Sequence, residues 1–101
     1  MKYNKLVRDK IPEIVKKKGK NPITHTANKK EYWQALKEKL KEEVEEFLKT
    51  PNIEELVDIL EVIYAICDFK KIDKKELEKL RKKKAKERGR FKKRIILDEV
   101  K

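Results

Sequence analysis

This chain has little of what many enzyme and export classes need: one cysteine, one histidine, two glycines and few aromatic residues. The lone Cys67 has no partner for an internal disulfide and reads as a buried thiol in a reducing compartment. One histidine argues against zinc and against a di-iron site built on a Glu-x-x-His pair. Nothing resembles a Walker P-loop, so any bound phosphates must be met by side-chain cations. The apolar runs are too short and too interrupted to span a bilayer. No segment has the charged start, apolar centre and cleavage site of a signal peptide. A cytoplasmic protein without membrane contact is expected.

What remains is mostly Lys, Glu, Leu and Ile, with 49% of the 101 residues charged and 38% hydrophobic. This is helix-forming usage in a chain long enough for one domain, 1–101, with one modest core. Gln34 is the only glutamine, and the Lys/Glu bias resembles that of hyperthermophile proteins. The net charge of +11 is concentrated in one segment. Residues 70–94 hold 15 Lys and Arg against 4 acids, while the rest of the chain balances. A basic segment on a neutral body suits an anionic partner, either nucleic acid or the phosphates of a nucleotide.

Start and stop signals predict four helices. The first runs from about Ile11 to Lys18, with Pro12 in its first turn and Gly19 as its stop. Asn28 and Glu31 have the spacing of a capping box and open a helix to about Lys49. Thr50-Pro51-Asn52 breaks the chain. Asn52 with Glu55 then opens a third helix to about Phe69, and Asp73 with Glu76 opens a fourth to about Arg88. The expected fold is all-α, a bundle of about four helices around a central antiparallel hairpin. In the second helix Trp33, Leu36, Leu40, Val44, Phe47 and Leu48 form one stripe. The third helix is apolar nearly all round, apart from a sector holding Glu54, Glu61 and Asp68. A small chain cannot cover such a helix alone, so a homodimer or larger homo-oligomer packed through it is expected.

Two pairs of acids stand out against this background. In an antiparallel hairpin, residues equidistant from its midpoint lie at the same height. Glu46 then faces Glu55, and Glu43 faces Asp58. Each i, i+3 pair shares one helix face, so four carboxylates converge. Such crowding is relieved by a cation, and hard oxygen ligands select Mg²⁺ or Mn²⁺. Glu-x-x-Glu spacings are common on solvated faces of Lys/Glu-rich helices, and Glu55 has a second explanation as the capping partner of Asn52. Asp58 is harder to explain away, because Asp is a poor helix former and sits here among apolar neighbours.

Glu42-Glu43-Val44-Glu45-Glu46 followed by Glu55-Leu56-Val57-Asp58 resembles the acidic motif of the MazG-like all-α nucleoside triphosphate pyrophosphohydrolases. The opening Tyr3-Asn4-Lys5-Leu6-Val7-Arg8-Asp9-Lys10-Ile11-Pro12 and the closing Lys84-Ala85-Lys86-Glu87-Arg88-Gly89-Arg90-Phe91 are similar to one compact branch. That branch resembles phosphoribosyl-ATP pyrophosphohydrolase and is described as predicted house-cleaning enzymes. The likeness covers nearly the whole chain. Arg90 departs from it, standing where a small residue is expected. The resemblance implies that Glu43, Glu46, Glu55 and Asp58 bind Mg²⁺, and that Glu42 orients water or holds a second ion. It also implies a reaction, cleavage between the α and β phosphates of a nucleoside triphosphate to give monophosphate and pyrophosphate. Phosphoribosyl-ATP or a dinucleotide is a related candidate substrate. Lys5, Arg8, Lys84 and Arg88 are the candidate phosphate-binding cations.

Other polar and aromatic residues have simpler explanations. Asp9 reads as a helix-start cap, His25 as a polar connection, and Trp33 and Tyr64 as core or interface. Two rival functions fit parts of the chain. A basic nucleic-acid-binding helical protein would use Lys70 to Arg94, but that stretch lacks interleaved aromatics and leaves the acids unexplained. A catalytically silent interaction protein would use the acids only as ion-pair partners for the lysine-rich helix.

Overall fold

The computed structural model describes residues 4–101, so Tyr3 of the opening motif lies outside the described residues. Four helices follow in order: α1 (Ile11–Lys17), α2 (Lys29–Lys49), α3 (Ile53–Lys70) and α4 (Lys74–Arg88). No strand occurs among the described residues. The all-α expectation holds, and each boundary lies within a residue or so of its sequence signal.

The caps explain that agreement. Asn28 accepts a hydrogen bond from the Glu31 N–H at 2.9 Å, and Asn52 accepts one from the Glu55 N–H at 2.9 Å. Each satisfies one orphan donor of a first helical turn. Asp73 caps α4 by accepting from Lys75 N–H at 2.9 Å, one residue earlier than the Glu76 spacing predicted. Neither asparagine cap draws a return bond from its glutamate carboxylate. The Glu31 carboxylate meets His25 at 2.9 Å instead. At the far ends, Gly19 and Gly89 take φ near +82° and +83°, which suits a residue without Cβ. Lys71 ends α3 in the left-handed region at φ 58°, with Ile72 N–H bonded to the Cys67 carbonyl.

α2 and α3 form an antiparallel hairpin, the one extended helix–helix contact among the described residues. Its buried centre is small: Leu36 from α2 against Val62 and Cys67 from α3. At the open end of the hairpin Trp33 stacks on Phe69, with ring centroids 5.7 Å apart, and Tyr32 meets Phe69 edge-on. The Lys70 ammonium lies over the Trp33 ring, 4.1 Å from its centroid. Half or more of Leu48, Ile53, Leu56 and Val57 remains exposed. The apolar circumference of α3 is therefore covered on one side only.

α4 does not fold back onto the hairpin. Only its first turn is tied to α3: the Lys74 ammonium lies 3.7 Å from Asp68 and 4.9 Å over the Tyr64 ring. The remainder is exposed apart from half-buried Leu77 and Ala85. Beyond it, Phe91 and the Ile95–Ile96–Leu97 run lie in open solvent. The radius of gyration is 18.0 Å, against about 13 Å for a compact domain of this length.

The smallness of the centre makes it sensitive. Leu36→Ala should cost about 2–5 kcal/mol in urea unfolding at matched protein concentration. Ile23→Ala, at a fully solvated site, should stay within about 0.5 kcal/mol. Equal effects at the two positions would show that the hairpin centre is elsewhere.

Candidate metal centre

The hairpin delivers the acids to one place. Glu43 projects from α2, and Glu55 and Asp58 from the first turns of α3. One carboxylate oxygen from each lies within 4.8 Å of the other two. Glu43 is more enclosed than Asp58, its side chain 13% exposed against 38%. Glu46, the fourth expected ligand, is not part of this group. It sits one turn nearer the hairpin connection, where the flank opens to water. Its charge still acts on Glu55. The convergent set is thus three carboxylates with a fourth in electrostatic range.

Glu55 registers the crowding. Partial burial, then the charges of Asp58, Glu43, Glu46 and Glu54, hold its carboxyl above the ordinary range. The cap on α3 takes only the backbone N–H of Glu55, which any residue would supply. Its carboxylate is left over for the cluster, so the capping explanation does not account for the glutamate.

Asp58, Glu42 and Glu43 are matched by cations. The Arg8 guanidinium donates to Asp58 at 2.8 Å, and the Lys5 ammonium donates to Glu42 at 3.0 Å. Residues from the segment before α1 thus lie across both helices of the hairpin. Lys39 reaches Glu43 at 3.3 Å and Glu42 at 3.5 Å. Burial pushes the Glu42 carboxyl up, but the Lys5 hydrogen bond and the Lys39 and Lys5 charges outweigh it. The net shift is below the ordinary range. Glu55 has no ion pair among the described residues.

Lys39 is a member of the site that the motif reading missed. Its signal was present, since it precedes Glu42 and Glu43 by three and four residues on one helix face. In a chain so rich in Lys and Glu, that spacing recurs too often to single it out. Of the four candidate phosphate cations, Lys5 and Arg8 lie at the acids. Lys84 and Arg88 do not: they stand on exposed α4 and make no ion pair with any acid of the cluster. The reason is geometric, because α4 leaves the far end of α3 and continues outward. His25 pairs with Glu31, away from the acids. Open hollows along Lys74–Lys82 of α4 and beside Asn4 and Asn28 include no acid of the cluster.

No family model matches this chain, and no solved structure matches it. A 41-residue stretch is 51% identical to part of an uncharacterized protein of Mycolicibacterium smegmatis, covering 41% of this chain and 42% of that protein. The matched stretch spans less than half the length of this relative. It shows similarity over a segment and carries no activity with it.

Crowding at Glu55 has a consequence for stability. The folded chain keeps a proton there at pH values where the unfolded chain has released it. The contribution of Glu55 therefore falls as pH rises from the ordinary carboxylate range through its raised folded value. Glu42 works the other way, stabilising at neutral pH and losing this as pH falls through its lowered folded value. With chelator present, Glu55→Gln should raise the thermal midpoint at pH 7 and flatten the descent above the ordinary carboxylate range. Melts across pH check this; a parent-like descent in the variant would mean the acids do not repel one another.

Proposed function

We propose that this chain is a Mg²⁺-dependent nucleotide pyrophosphohydrolase, cleaving the α–β phosphate bond of a non-canonical nucleoside triphosphate to monophosphate and pyrophosphate. The observation that carries this reading is the convergence of Glu43, Glu55 and Asp58 in the acidic pattern of the MazG-like enzymes, with Glu42 beside them.

The donor set fits the ion. Three carboxylates offer only hard oxygens, with no nitrogen or sulfur ligand to favour zinc. Oxygens sharing one Mg²⁺ at about 2.1 Å stand roughly 3–4 Å apart, so a 4.8 Å spread closes with small side-chain rotations. Mn²⁺ suits the same donors. When bound, such an ion would neutralise phosphate charge and polarise the phosphoryl group under attack. Glu43, Glu55 and Asp58 would hold it, and Glu46 is near enough to add charge or a bridging water. Glu42, kept ionised by Lys5 and Lys39, can accept a proton from the attacking water and aim it. Lys5 and Arg8 already lie over the acids, where a triphosphate would arrive, and can transfer their hydrogen bonds to its oxygens.

The working form in this reading is a homodimer or larger assembly packed through α3. Support comes from the uncovered Ile53, Leu56 and Val57, and from a buried centre too small for a domain of this length. No helix among the described residues is long and apolar enough to cross a membrane. We place the protein in the cytoplasm, in keeping with its buried free thiol at Cys67.

A panel of canonical, deoxy and damaged nucleoside triphosphates, assayed with Mg²⁺ and with chelator, tests the reading. Pyrophosphate release should require the ion, and Asp58→Asn should reduce it by about a hundredfold or more. No turnover across a broad panel would sink the assignment.

A further inference from the structure

We infer that α4 carries a docking face for duplex nucleic acid, on which Lys75, Lys79, Lys82, Lys83 and Lys86 hold the phosphate backbone without reading its sequence. This face is separate from the acid cluster and does not depend on the hydrolase reading.

The charge of α4 is sorted as well as abundant. The helix carries 9 Lys and Arg against 3 acids. At about 100° per residue, the five lysines fall in one sector roughly 100° wide, and no other residue of α4 enters it. Half-buried Leu77 and Ala85 lie on the opposite side. So does Lys74, which ties the first turn of α4 to Asp68. The lysine sector therefore faces away from the hairpin, and all five residues are exposed.

This charge is not neutralised within the chain. None of the five lysines makes an ion pair among the described residues. Glu78 stands three residues from Lys75 and four from Lys82, but Arg81 holds it, donating from Nε at 2.9 Å. Lys75 and Lys79, Lys79 and Lys83, and Lys82 and Lys86 are like charges at i, i+4, which destabilise a helix. Charged faces that add heat stability work through networks of paired ions, and this face has no paired member. A polyanion relieves all of these repulsions together.

Spacing and composition identify the polyanion. From Lys75 to Lys86 the stripe runs about 16 Å, or one charge per roughly 4 Å. Phosphates recur about every 3.4 Å of axis along one strand of a duplex. α4 has no aromatic residue, so it offers unpaired bases no stacking platform. The sector has no apolar residue to enter a membrane. It holds only lysine, a point charge that suits phosphate, and contacts to phosphate position a protein on a duplex without carrying sequence information. The acids do not oppose this docking. Asp58 lies about 18 Å back along α3 from the root of α4, beyond the screening length of about 10 Å at 0.1 M salt.

Fluorescence anisotropy of short mixed-sequence DNA and RNA duplexes tests the face. With five phosphates contacted, affinity should fall about 500-fold between about 50 and 200 mM salt. Lys79→Gln/Lys82→Gln/Lys83→Gln keeps good helix formers and should flatten the log–log salt slope by about 2.7. The matching triple exchange to Arg keeps the charges and should bind as wild type does, which separates lost charge from a lost helix. Lys16→Gln/Lys18→Gln/Lys20→Gln removes the same net charge from exposed sites around the end of α1 and should leave the slope unchanged. No duplex binding at low salt would overturn the inference, as would an unaltered slope in the α4 Gln variant. Equal flattening in the α1 control would show that net charge, and no particular face, is responsible. Tighter binding to the single strand, or to phosphatidylserine vesicles, would also overturn it.

Discussion

The contact between α2 and α3 is the one on which the rest depends. Burial of Leu36 against Val62 and Cys67, with Trp33 stacked on Phe69 at the open end, fixes the register of the two helices. That register decides which acids meet. A slip of one residue on α3 would turn Asp58 by roughly 100° about the helix axis and take it away from Glu43. The apolar centre and the acid cluster are therefore one design, in which packing supplies the alignment that electrostatics alone would oppose.

Opposed it is. Three carboxylates share a few ångströms, and the chain offsets this in part with Arg8, Lys5 and Lys39. Exposed ion pairs of this kind are each worth little. Their importance lies in position, because they bring cations to the edge of an acid cluster from outside the hairpin. Glu55, without a paired cation, carries the remaining strain as a raised pKa. A divalent ion would relieve the same repulsion more completely, which is why the electrostatics favour the metal-binding reading over a merely ion-paired scaffold.

Charge is also segregated on the scale of the whole molecule. The hairpin is acidic, α4 is basic, and the chain keeps the two apart along a long axis. Uncovered apolar residues occur on both. In a single copy this is an unfavourable arrangement of surfaces.

The sequence by itself determined the helices and their ends. Asn28, Asn52, Asp73, Gly19 and Gly89 act through local hydrogen bonds and local φ, which need no distant partner. It also determined that Glu43 would lie level with Asp58 and Glu46 with Glu55, since a short connection and a 3.6-residue period suffice for that. Three things required the tertiary structure. Glu46 faces open water, because the flank is exposed near the connection. Lys39, Lys5 and Arg8 were joined to particular acids only by packing across the hairpin and the segment before α1. Lys84 and Arg88 were carried away from the site by the direction in which α4 leaves α3, and a direction between helices is set by side chains far apart in the chain rather than by any local signal.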